Sequence, residues 1–417
     1  MTSTSAPRQA RAVPSGAAAE ASTHSTTAPD PGAPTGTAPT TPAPAAAGSG
    51  AAGSGRRAAQ SWPDLISLLI SGEPLTADQT TWAMAQIMGG LATPAQIAGF
   101  IIALRAKGET AQEIGGLIRA MLGVGETLAL SDELRAGAVD TCGTGGDRSN
   151  TVNLSTMAAI VAAGAGVTVV KHGNRAASSA SGSADVLSEL GVVIDLPPAG
   201  VEACLSSAGI AFCFAPVFHP AMRHVGAIRG ELGVQTAFNI LGPLANPARP
   251  GAQTIGVADA RLAPIVADVL ADRGTRGLVF RGDDGLDELT TAMPSTVWVV
   301  TAPPGGQERA RVRRDRFDPR DLGIATPDAT ALRGADAAYN AQVARTILAG
   351  ETGPVRDAVL LATAAALVAA VGPTEAPVTE QLGAQLGRAA AAIDSGAAAE
   401  ALRRWAEASQ TAAKARG

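Results

Sequence analysis

Between Trp62 and Val124 apolar residues recur at helical spacing, as in Ile97, Phe100, Ile101 and Leu104, which predicts short amphipathic helices. Their starts are marked. Thr76 is followed three residues later by Gln79, Thr93 by Gln96 and Thr110 by Glu113. Each pair predicts a capping box, in which the threonine hydroxyl and the third side chain satisfy each other's orphan amides. Pro94 suits the first helical position after Thr93. The boxes recur every 17 residues and stop after three, so the segment reads as a small helical bundle, not a solenoid. Gly123, Gly125 and the run to Ser131 read as a hinge. From Ala138 onward the pattern changes to short apolar runs separated by Ala-rich helical stretches. Val167 to Val170, Val192 to Ile194, Gly209 to Phe214, Thr254 to Val257, Gly277 to Phe280 and Val297 to Val300 are expected strands; another is expected to end near Val139. This alternation predicts an α/β sheet with helices on its faces. Pro354 to Val371 and Thr379 to Ala408 read as long helices packed on that sheet.

Composition narrows the classes. Residues Met1 to Ala58 are almost entirely Ala, Gly, Pro, Ser and Thr. They cannot bury enough apolar area to offset chain entropy and are expected to be disordered; a transit peptide is the other reading of a Ser/Thr-rich leader with several Arg. The remaining residues suffice for two domains. With 32 Lys+Arg against 37 Asp+Glu, a net charge of −5 argues against a nucleic-acid binder that relies on a basic surface. Three scattered cysteines, Cys142, Cys204 and Cys213, form neither a disulfide scaffold nor a zinc ribbon. Apolar runs such as Val359 to Val371 fall short of the roughly 20 residues of a membrane span, and no apolar core of a secretory signal stands at the N-terminus. The expectation is a soluble, cytoplasmic protein.

Four stretches carry candidate chemistry. In DTCGTGGDRSNTVNLST, Asp140 to Thr156, Gly143, Gly145 and Gly146 let backbone approach an anion. Asn153, Ser155 and Thr156 then bring hydroxyls and free amides to a helix N-terminus expected near Ser155. Neither common glycine fingerprint fits, because Arg148 stands where one needs glycine and no Lys follows as the other requires. In KHGNRAASSASGSADVLSELG, Lys171 to Gly191, Lys171 and Arg175 flank a serine/glycine loop before a helix expected at Ser183, a second anion cradle. Two cradles on successive strand-to-helix connections point to one substrate with two separated phosphates. In GDDGLDELT, Gly282 to Thr290, Asp283, Asp284, Asp287 and Glu288 attract cations; magnesium, bridging carboxylates to phosphates, suits them. In the stretch His219 to Pro247, Arg229 can offer a planar fork to a carboxylate. Each stretch also has a plain reading: a capped glycine turn, a basic loop, a solvated acidic loop and a surface helix.

Taken together, GTGGD, NLST, KHGNR followed by SGSADVLSELG, HPAM with the later FNILGPLANP, and DGLDE resemble the anthranilate phosphoribosyltransferases, from about Trp62 to Ala408. The resemblance implies the nucleoside phosphorylase/phosphoribosyltransferase fold. A small N-terminal helical bundle domain (59–129, with a contribution from about 220–248) hinges on a larger α/β domain (130–417) with a mostly parallel central sheet. It implies a homodimer formed through the helical domain, with no nucleic acid and no membrane as partner. It further implies Mg²⁺ as cofactor, two ions per subunit, and transfer of phosphoribose from 5-phospho-α-D-ribose 1-diphosphate (PRPP) to the amine of anthranilate, the second step of tryptophan biosynthesis from chorismate.

The same resemblance assigns residues. It puts Gly143, Gly146, Asp147, Thr151, Asn153, Leu154, Ser155 and Thr156 on PRPP, with Lys171, His172, Gly173, Asn174, Arg175, Ala176, Ala177, Ser178, Ser179 and Ser183 wrapping the phosphoribose. Gly143, Asn174 and Arg229 would contact anthranilate, and Ser155, Asp287 and Glu288 the metal. Lys171 would offset charge on the departing diphosphate, and His172 is a candidate proton acceptor. The chain departs from the family where Arg281 often is His, Phe218 often Tyr and Ala362 often Asn. Two rivals stay open: a pyrimidine nucleoside phosphorylase, which has no need of the acidic pair for metal, and a non-catalytic relative binding nucleic acid in the same cleft.

Overall fold

The first helices form where the hydroxyl caps place them. A computed structural model describes residues 61–176, 180–302, 309–328 and 330–415; the expected disordered leader lies outside these. Helices span Trp62–Ile70, Ala77–Met88, Pro94–Lys107 and Ala111–Val124. All three capping boxes close, with Thr76 N donating to Gln79 Oε1 at 2.8 Å, Thr93 N to Gln96 Oε1 at 2.9 Å and Thr110 N to Glu113 Oε2 at 2.9 Å. Such caps contribute about 1 kcal/mol each. Glu113, fully buried, does more: it also accepts from Leu75 N (2.8 Å) and Lys107 Nζ (2.9 Å), tying two interhelix connections together. Trp62 packs against Trp82 and Phe100, with ring centroids 5.4 and 5.7 Å apart.

Seven strands make one sheet: β1 (Val139–Gly143), β2 (Val169–Gly173), β3 (Ile210–Phe214), β4 (Ala252–Gly256), β5 (Arg276–Gly282), β6 (Ser295–Thr301) and β7 (Arg311–Phe317). Their order is β3-β2-β1-β4-β5-β6-β7. β1 to β5 run parallel and β6 and β7 are antiparallel additions. The period-two alternation of strands decides which face meets what. Leu278 and Phe280 of β5 and Val297 and Val299 of β6 pack on helices Pro354–Val371 and Val378–Asp394. Val279 and Val300 point the other way, into a cluster shared with the N-terminal helices and helix Ala263–Asp272. The helical segment and one sheet face therefore share an apolar core. Helix Pro354–Val371 has the length and apolarity of a membrane span, but 67% of it is buried inside the protein, in part against the sheet.

The structure corrects several expected elements. β1 begins at Val139 instead of ending there, because the polar Asp140 and Thr141 are buried strand residues. Val192 to Ile194 is not a strand; Val193 N donates instead to Ser409 Oγ of the last helix (2.9 Å). The expected helix Thr379 to Ala408 is two, Val378–Asp394 and Ala397–Lys414, broken at Gly396 with φ 79°. β7, RVRRDRF, is an addition to the expected strands: it is an edge strand whose charged side chains oppose pairing with another chain.

Candidate active site

The chain order switches direction between β1 and β4: β2 and β3 extend one side of β1, and β4 adds to the other. Open α/β sheets bind ligands at such a point, beyond the strands' carboxyl ends. Here both strands end in glycine, and Gly143 and Gly256 are register partners. Neither can carry a side chain. A Cβ on Gly143 would strike the Asp287 carboxylate, and one on Gly256 the Asp287 backbone carbonyl. Asp287, which follows β5, thus rests on paired glycines, with its Oδ2 accepting from Gly145 N at 2.7 Å. Gly145 and Gly146 hold φ of 68° and 87°, the left-handed region open to glycine. Arg148 and Asn150 occupy it too, at 62° and 50°, local strain of the kind held at functional loops.

A cleft of about 460 Å³ opens above these ends. Its walls include Gly143, Gly146, Asp147, Thr151, Asn153, Leu154 and Ser155 from the first cradle, and Lys171, His172, Gly173, Asn174, Arg175, Ala176 and Ser183 from the second. Arg229, Asp287 and Glu288 also line it. The predicted residues Ala177, Ser178 and Ser179 lie outside the described residues. Thr156 does not reach the wall: it is 1% exposed, one residue deeper in helix Leu154–Gly164. Some predicted donors are already engaged. Leu154 N donates to Val152 O (2.7 Å) and Ala176 N to Asp185 Oδ2 (3.0 Å). Arg175 pairs with Asp185 at 2.7 Å, so its charge shapes the second loop from within.

Lys171, His172 and Asp287, which line the cleft, are buried. Lys171 is 2% exposed; its ammonium donates to Thr141 O and, at 3.3 Å, to Ser155 Oγ. Burial raises the pKa of Asp287, and the Asp147 charge adds to the rise. Glu288 is raised by burial and then by Asp287, with Lys171 opposing. His172 lies 2.8 Å from Gly242 O through Nδ1; a carbonyl can only accept, so Nδ1 carries the hydrogen. Nε2 is left buried with no partner among the described residues. Burial, then the neighbouring His219 at 5.3 Å between ring centroids, pushes His172 down to about 3. It is a neutral ring at physiological pH and a weak base. Arg229, on helix Arg223–Leu232, loses solvation and has its pKa lowered by burial. Its side chain makes no hydrogen bond or ion pair to another described residue, which leaves its fork for a ligand.

Residues 135–399 match the a/b domain of the glycosyl transferase family, and residues 63–125 match its helical bundle domain. An anthranilate phosphoribosyltransferase of Frankia alni is 69% identical over 365 residues, covering 85% of this chain and 98% of the relative. The chain belongs to the anthranilate phosphoribosyltransferase family. Solved members of that family have the same fold. The Thermus thermophilus enzyme is 38% identical, with a TM-score of 0.72 over 83% of this chain and 99% of that one. The Saccharomyces cerevisiae enzyme, in complex with PRPP and Mg, is 26% identical, with a TM-score of 0.74 over 84% and 98%.

The family's motif positions do not include everything the site uses. Gly256 gives no signal in sequence beyond interrupting an apolar run. Gln235 donates from Nε2 to Gly146 O at 2.9 Å, and its own backbone carbonyl accepts from Arg105 Nε at 3.0 Å, joining a helix of the bundle to the glycine loop. Asn340, 187 residues downstream, touches the first cradle through Asn153. The departures sit apart from the chemistry. Arg281 spends its guanidinium on Ala258 O and Gly282 O, at 2.9 and 3.2 Å. Phe218 and Ala362 are buried.

Proposed function

We infer that the protein transfers the phosphoribosyl group of PRPP to the amine of anthranilate and releases diphosphate. The observation that carries this reading is the pair of cradles on one cleft, with Asp287 and Glu288 lining the same cleft. A substrate phosphorylated at both ends of one sugar suits two anion cradles on one cleft, and a bare phosphate plus a nucleoside does not need the carboxylates.

Asp287, Glu288 and the Ser155 hydroxyl fit magnesium. Burial first, then the Asp147 charge at Asp287 and the Asp287 and Asp147 charges at Glu288, disfavour the ionised carboxylates, which makes a site lacking positive charge. Among the described residues no three His, Cys, Asp or Glu side chains assemble a cage by themselves, as expected for an ion that completes its shell with phosphate oxygens and water. When bound, magnesium would screen the diphosphate and favour its departure. The protein's own residues do the rest. Lys171 places a fixed cation beside the cleft, stronger there than in water. The glycine loop and the start of helix Leu154–Gly164 present backbone to the phosphates. Arg229 would bind the anthranilate carboxylate and aim the amine at the anomeric carbon. The carbon–oxygen bond to diphosphate breaks as the carbon–nitrogen bond forms with inversion, and the amine's surplus proton leaves to solvent. His172, neutral and donating to Gly242, orients the wall in place of acting as base.

The reading extends to two magnesium ions per subunit and a hinge near Gly125 between the 59–129 helices (with 220–248) and the 130–417 region. It also includes a cytoplasmic homodimer formed through the helices, where Ile70 (75%) and Leu91 (70%) are exposed apolar residues. The test is loss of anthranilate fluorescence on adding PRPP, abolished by chelator and restored by Mg²⁺. Phosphorolysis of a pyrimidine nucleoside with no PRPP-dependent loss would overturn it.

A further inference from the structure

A chain of side-chain amides runs behind the two cradles, and its direction is fixed at both ends. At one end stands a backbone donor: Ala335 N–H gives its hydrogen bond to Asn340 Oδ1 at 3.0 Å. That forces Asn340 to present Nδ2 on its other side, where it donates to Asn153 Oδ1 at 2.9 Å. Asn153 must then turn its own Nδ2 outward, and it donates to the backbone carbonyl of Ser181 at 3.2 Å. A carbonyl can only accept, so the polarity is consistent from Ala335 to Ser181. Asn340 is 3% exposed, where an unmatched amide would be costly. Asn153 sits at the N-cap of helix Leu154–Gly164 yet makes no capping bond with its side chain. Its amide serves the relay instead.

The backbone around Asn340 is held to the first cradle as well. Gly334 N donates to Asn150 O (2.7 Å), Val152 N to Leu332 O (2.9 Å), and Thr151 bridges to Arg333. Gly334 has no room for a side chain, since a Cβ would lie 2.8 Å from Asn340 Oδ1 and 2.9 Å from Thr151 O.

We propose that Asn340 is a positioning residue for the reaction: by fixing the orientation of the Asn153 amide, it locks the second phosphate cradle, at Ser181, to the first. The proposal rests on the reading that these cradles hold PRPP. Asn340 touches no substrate itself. It acts on the distance between two anion sites, so its effect falls on PRPP and spares anthranilate.

Asn340→Asp keeps size and the acceptor for Ala335 but has no hydrogen to give Asn153. Asn153 must then flip to donate backward, which sets its oxygen against the Ser181 carbonyl. The expected result is a rise of about tenfold in KM for PRPP, with KM for anthranilate within twofold. In an Asn153→Ala background the same change is expected to do nothing more, because the relay is already cut. Equal rises in both KM values, or additive effects in the double variant, would overturn the proposal. Hydrogen exchange separates this from the function itself: Asn340→Asp should speed amide exchange in peptides from Ala180 to Leu190 and leave helix Pro354–Val371 unchanged. Faster exchange from Ala180 to Leu190 in a protein that does not use PRPP would sink the functional reading and keep the relay; unchanged exchange in that segment would sink the relay.

Discussion

Asp287→Asn should make the metal-free protein more stable and less active, by amounts set by how Asp287 is buried. Asp287 is 9% exposed, and burial, then the Asp147 charge, lifts it from 3.8 to about 7. A rise of about three pH units corresponds to about 4 kcal/mol against the ionised form. The sign follows from proton linkage. The folded state holds this proton between about pH 4 and pH 7 while the unfolded state has lost it, so stability falls as pH rises through that window. Asparagine avoids the loss. Its Oδ1 can still accept from Gly145 N, and its Nδ2 can donate to Asp147 as the protonated acid does. In chelator, wild type and variant should therefore melt alike near pH 4. By pH 8 the variant should melt higher by about 2–5 °C, using on the order of 1 °C per kcal/mol for a unit of this size. Added Mg²⁺ should raise the wild-type melting temperature at pH 8 and leave the variant nearly unmoved, while phosphoribosyl transfer by the variant falls by about 100-fold or more. Calorimetry at the two pH values, with and without Mg²⁺, decides it. A variant that melts lower than wild type at pH 8 in chelator, or a gap as wide at pH 4, would refute the electrostatic argument.

Arg229→Ala should raise KM for anthranilate by about 10–100-fold and KM for PRPP by less than threefold; steady-state kinetics with each substrate varied will tell, and equal losses would contradict the assignment. His172→Asn keeps a donor for Gly242 O and should retain kcat within about threefold, with the wild-type pH profile from 6 to 8, because the ring is already neutral there; a hundredfold fall in kcat would restore it as a base. Gly143→Ala pushes a methyl into the Asp287 carboxylate and should cost about 1–3 kcal/mol of stability. It should also shift the Mg²⁺ dependence of the rate to at least tenfold higher concentration, measured by metal titration.

The parts of this molecule that can be read in sequence are those whose cause is local. Threonine three residues before Gln79, Gln96 or Glu113 closes a box with no help from the rest of the chain. The two glycine and serine loops announce themselves because close backbone approach to an anion needs small residues. The helix expected at Ser183 starts there. What stays hidden depends on partners distant in sequence. β7 carries four arginines in RVRRDRF and has no apolar alternation; it is a strand because β6 pairs along it. Of the acidic loop, Asp283 serves Arg316, and Asp284 accepts from Leu286 N at 3.1 Å within its own turn, which leaves Asp287 and Glu288 for the cleft. Composition alone cannot make that division. Asn340 looks like any helix residue until the fold sets it against Asn153.

The seat of Asp287 on Gly143 and Gly256 has a consequence for the protein's birth. A ribosome makes the glycine ends of β1 and β4 well before it makes the carboxylate that rests on them, and the strands β6 and β7 that complete the sheet come later still. From Gly143 until Asp287 is made the nascent chain therefore owns half a pocket. Neither nucleotide-like sugar nor metal can brace it during that interval, so early survival falls to the helices and their threonine caps, which need only their immediate neighbours to form.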